Sequence, residues 1–173
     1  MSEENVVEFP DSPEEWPLLP KMYLRIAMGD QSAADLLETV AVIERLADNI
    51  VDNESEDTSA DMTEVLYRMF VGITSNSFFN ENRVAIITAF GLDVISWDLS
   101  NEYHGRKNIR EQMIGFVKRE AINIYVVVAM ICGGFDHARS IIREIYEFNT
   151  EEAPTLEEWI SKHEVPLAKT SEK

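Results

Sequence analysis

A chain of 173 residues is long enough to close one domain around a real core and short for two. Its 45% hydrophobic and 27% charged residues are those of a folded soluble chain and exclude wholesale disorder. The net charge of -17, with a pI near 4.4, weighs against direct contact with nucleic acid or an anionic membrane surface and favours cations and proteins with a basic surface.

Four of the six prolines fall in the first twenty residues, "MSEENVVEFPDSPEEWPLLP", which predicts an extended N-terminal arm over 1–20. Its Phe9 and Trp16 either pack on the protein's own helices or form a motif offered to a partner groove. A short helix closed by Gly29 follows. Asp30 or Ser32 then caps a stronger one through about Val51, with Ala33, Leu36, Leu37, Val40, Ile43, Ala47 and Ile50 at helical spacing. "DNESEDTSAD" reads as an acidic loop, and the capping-box spacing of Asp61 and Glu64 predicts a helix over about 59–74.

"TSNSFFNEN" predicts a helix corner with Phe78 and Phe79 in the core. The next helix, about 80–101, is expected to turn Val84, Ile87, Phe90, Leu92, Ile95 and Leu99 inward. "IREQMIGFVKREAINIYVVVAMIC" reads as one long buried helix ended by Gly133 and Gly134. Two more follow, in "DHARSIIREIYEF" and, capped by Thr155, in "LEEWISKH". The expected fold is all-α: a bundle-like domain of six or seven helices over 21–165, with a frayed tail over 166–173.

One cysteine, Cys132, permits no internal disulfide, and its apolar neighbours predict a packed thiol. The N-terminus lacks the basic and apolar regions of a signal peptide, and "INIYVVVAMICGG" is about half the ~20 residues that span a bilayer, so the expected location is cytoplasmic, with no membrane partner. His137 reads as a surface histidine, and no phosphate loop, nucleophile elbow or zinc spacing is present.

Chemistry concentrates in one stripe. Glu44, Asp48 and Asp52 fall four apart along the second expected helix and its end, and so form a slanting acidic line. Three readings fit it: a Mg²⁺ site with Asp48 and Asp52 as ligands, joined by Glu102; carboxylates paired to arginines; or a solvated face. "RLADNIVDNE" resembles the first aspartate-rich helix of the squalene and phytoene synthases, with Asp48 and Asp52 matching the end acids and Asn49 standing at the middle one. That resemblance implies Mg²⁺-dependent diphosphate binding. It covers about ten residues, and the family's second aspartate motif is missing.

The succession of Asp48, Asp52, "NSFFNEN", Trp97, Glu102, Arg119, Tyr125 and "VAMICGG" resembles small uncharacterised all-α proteins encoded by bacteriophages. It implies a phage origin, a location in the host cytoplasm, and a meeting of Glu102 and Arg119 with the Asp48–Asp52 pair, Arg119 as ion-pair partner. The functional expectation is an acidic, non-catalytic protein-binding module. A Mg²⁺-dependent isoprenoid-synthase-like protein and a homo-oligomeric virion component are the alternatives.

Overall fold

Asp30 stands at the start of the first long helix. Its side chain accepts from the Ala33 amide at 3.0 Å and caps α2, Gln31–Val51. The computed structural model describes residues 19–103, 108–118 and 122–152. Before α2 lies α1, Leu19–Ile26, and the turn between them uses Met28 and Gly29 at φ 49° and 85°. The arm with Phe9 and Trp16, Arg119, and the expected helix after Thr155 all lie outside the described residues.

Asp57, rather than a capping box at Asp61, caps α3, Thr58–Tyr67, by accepting from the Ser59 and Ala60 amides. The helix expected to run unbroken to about residue 74 changes at Arg68 into a π-helical segment, Arg68–Ile73. Gly72 sits in that segment against Thr39 of α2, where an added Cβ would lie 3.4 Å from the Thr39 methyl. The corner that follows is tied to the start of α2. Asn76 accepts from the Phe79 amide at 2.9 Å and donates to the Ser32 carbonyl at 2.7 Å, and Ser32 Oγ accepts from the Phe78 amide. Phe78 and Phe79 are buried, as their place at a corner predicts.

From that corner runs α4, Ser77–Tyr103, with non-helical dihedrals at Asn82. Its orientation bears out the sequence expectation only at Phe90, which packs against the core, and at half-buried Leu99. Val84, Ile87, Leu92 and Ile95 face outward, while Ile86, Ala89, Asp93, Ser96 and Ser100 are buried. The helix is apolar nearly all round, so periodicity alone does not choose its inner face. The choice falls to close packing and to the bonds Asp93 and Ser100 make inside.

The single long helix expected after residue 109 is two. α5, Ile109–Lys118, packs along α4, with Ser100 Oγ donating to the Gly115 carbonyl, and α6 starts at Asn123 and runs to Glu152. Gly134, at φ 76°, breaks α6 where the glycine pair predicts an end. Beyond the break His137 Nε2 lies 2.9 Å from the Ile26 carbonyl, on the last turn of α1, so this histidine is half-buried rather than on the surface. Gly133 has no room for a side chain between His137 and Met28. Gly133→Ala is expected to cost about 1–3 kcal/mol in urea denaturation, by displacing one of the two.

The architecture is therefore all-α, with six α-helices and no strand among the described residues. Helices α1, α2, α4 and α6 enclose the core, which centres on Ile26, Leu36, Leu37, Val40, Ile124 and Val128. Cys132 packs against it, and burial pushes its thiol up. Two helical stretches, Ser77–Tyr103 and Asn123–Tyr146, are long and apolar enough to cross a membrane by length and composition alone.

Candidate functional site

The acidic stripe divides into three environments. Glu44 faces the core, because one turn after buried Val40 it lies on the same side of α2. Its Oε2 accepts a long hydrogen bond of 3.4 Å from the Tyr125 hydroxyl, and its Oε1 is buried with no partner among the described residues. Asp48, exposed, accepts at 3.0 Å from the Trp97 indole of α4. Asp52, also exposed, ends α2 as its C-cap.

None of the three pairs with a described arginine; ion pairs among the described residues are Arg25–Glu144 and Arg68–Glu64. Glu102 is exposed, five residues beyond Trp97, and hence about 140° around α4 from the indole that meets Asp48. Among the described residues no group of three or more His, Cys, Asp or Glu side chains is arranged to hold a metal ion.

Around Glu44 four helices supply a buried polar centre. Asp93 of α4 turns its carboxylate onto the start of α6, accepting from the Asn123 amide at 2.9 Å, the Asn123 side chain at 2.6 Å and the Ile124 amide at 2.9 Å. It thus satisfies the first amides of a helix thirty residues away, which otherwise have no partner. Burial first, and the Asp93 charge second, push the Glu44 carboxyl up to about 8, although the Tyr125 hydrogen bond lowers it. Burial, with Glu44 beside them, pushes Tyr23 up to about 12 and Tyr125 well above its ordinary value. The two rings stack with centroids 6.3 Å apart. The result is a carboxyl that keeps its proton at neutral pH inside the fold.

A second concentration of unusual features lies on the outside. Along α3 and the π segment, Met62, Leu66, Tyr67, Phe70 and Val71 are exposed, Tyr67 by 59% and Phe70 by 69%. Phe70 and Val71 lie within the wide turn, and Thr74 Oγ1 donates to the Phe70 carbonyl at 2.6 Å. Immediately before α3 stand Asp52, Glu54, Glu56 and Asp57, all exposed. Apolar side chains rich in methionine and aromatics are therefore exposed along an element whose N-terminal end follows a dense acidic run.

Sequence reasoning places Asp48 and Asp52 correctly on one helix and misses Asp93, Tyr23, Tyr67 and Phe70. The density of "VLYRMFVGI" is the available signal for the last two, since one helical face cannot bury so many large side chains. No protein-family model matches the chain, and no curated protein or solved structure matches it.

Proposed function

We propose that this protein is a non-catalytic binding module that recognises a basic, amphipathic segment of another protein through α3 and the π segment. The observation that carries the reading is the exposure of Tyr67, at the end of α3, and Phe70, in the π segment, on an element whose opposite end carries the Asp52–Asp57 acids. The apolar strip supplies contact area and anchors of the type that dominate interfaces. The acidic edge supplies charge complementarity and steering, in keeping with the net charge of -17. Such a module suits a phage-encoded protein that occupies a basic surface of a host protein in the cytoplasm.

Affinity retention from host lysate tests this on immobilised wild type and on Phe70→Asp. The variant is expected to melt within about 2 °C of wild type, because the side chain is exposed. It is also expected to lose a basic protein that wild type retains through moderate salt. Equal retention by both proteins, or none by wild type, sinks the reading.

A further inference from the structure

Helix α4 presents its large aliphatic side chains to solvent: Val84 is 82% exposed, Ile95 56%, Ile87 51%, Leu92 50% and Val94 47%. A helix apolar on every side belongs in an interior. We propose that a second copy of the chain covers this face, with the two α4 helices packed antiparallel across a twofold axis at Gly91.

Three observations point to a second copy. The outward positions 84, 87, 88, 91, 94, 95 and 98 are spaced symmetrically about Gly91, in the three-and-four pattern of a helix–helix seam. An antiparallel partner therefore sets Ile87 opposite Ile95 and Thr88 opposite Val94. Gly91 meets nothing where its Cβ would stand, so the backbones are free to approach at the axis.

Charge gives the second argument. Arg83 is the one basic residue of α4 and is exposed, eight residues before Gly91; Asp98, exposed, lies seven after it. The twofold brings each Arg83 to the other copy's Asp98, two pairs in all, whereas a parallel pairing sets like charges together. The area agrees. The seam's Val84, Ile87, Val94 and Ile95 leave roughly 350 Å² of apolar surface, within the range of the largest patch on a monomer. With Arg83, Thr88, Gly91 and Asp98, about 500 Å² per copy is covered, just under the range of standard specific interfaces, which fits a weak dimer that dissociates on dilution. A lipid surface fits less well, because Asp98 stands in the seam and the chain is strongly anionic.

Sedimentation velocity of the full chain over a concentration series is the test. Wild type is expected to pass from monomer to dimer, and Ile95→Glu to raise the dissociation constant about a hundredfold while melting like wild type. Arg83→Glu and Asp98→Arg should each weaken the dimer about tenfold, and the double variant should restore it. In a Cys132→Ser background, Gly91→Cys should cross-link between copies on mild oxidation. Val84→Cys should not, since its two copies lie roughly 21 Å apart. A chain monomeric at every concentration overturns the proposal, as does a dimer indifferent to Ile95→Glu or a double reversal no better than the singles. So does flotation of wild type, but not Ile95→Glu, with phosphatidylcholine vesicles in the absence of any dimer, which assigns the face to lipid.

Discussion

Asp93→Ala is expected to lower the melting temperature by about 10 °C or more, the largest loss from any one substitution considered for this fold. The side chain is 2% exposed and accepts three hydrogen bonds from the first turn of α6. Its removal leaves buried N–H donors with nothing to bond, and truncations of that kind cost about 3–5 kcal/mol. For a chain of this length each kcal/mol corresponds to roughly 2–4 °C. Asp93→Asn is expected to fall almost as far, because its amide nitrogen turns one acceptor into a donor that faces other donors. Thermal and urea denaturation followed by circular dichroism measure both. An Asn variant as stable as wild type is incompatible with two carboxylate oxygens at work on the α6 terminus.

Glu44→Gln is expected to stabilise the protein at neutral pH. The carboxyl is pushed up to about 8 in the fold, against 4.5 as the ordinary value. Below about 4.5 it is neutral in both the folded and the unfolded chain, and it makes no difference between them. Between 4.5 and 8 the unfolded chain gives up a proton that the folded chain retains, so stability falls as pH rises, and the loss is complete above 8. At pH 7 the penalty is about 3 kcal/mol, which a neutral isostere escapes. Urea midpoints of wild type and Glu44→Gln should coincide near pH 4.5 and separate steadily as pH increases. A gap independent of pH would show that the carboxyl ionises as freely inside the fold as outside. Because the Asp93 charge is the second cause of the shift, the gap should also narrow in an Asp93→Ala background, an interaction of neighbouring residues.

Helices were legible in the sequence wherever one face alone was apolar. In α2 the Asp30 cap, the inward Leu36, Leu37 and Val40, and the end near Val51 all follow from spacing and capping chemistry. The corner at Phe78 and Phe79 follows from a polar run around two aromatics. Legibility ends where the deciding partner is distant. The division between α5 and α6 carries no local break of its own, since the acceptor that starts α6 comes from Asp93. The inner face of α4 was misread for a related reason. A helix with aliphatic side chains all round offers several equivalent stripes, and the fold selects the one bearing Asp93, Ser96 and Ser100.

At the site, four-residue spacing aligned Glu44, Asp48 and Asp52, and Glu44, one turn after Val40, lies deepest as its place beside the apolar face predicts, but spacing could not say what each carboxylate meets. Tyr125 and Trp97, which meet Glu44 and Asp48, come from helices 81 and 49 residues further along. Such partners become visible only when topology is known. The π segment was read as ordinary helix, because its composition is helical; what it packs on, Thr39 of α2 beside Gly72, is distant in sequence.

The contact between Asp93 and the opening turn of α6 also orders events in time. The acceptor for the Asn123 amide is the carboxylate of Asp93, so the first turn of α6 gains it only where the chain has returned through α5 to α4. Closing that loop of thirty residues precedes the reward for forming the turn. The α4–α5 hairpin is accordingly the template on which the last long helix nucleates at its N-terminal end, and a nascent chain released before α4 has settled holds that end of α6 open to solvent.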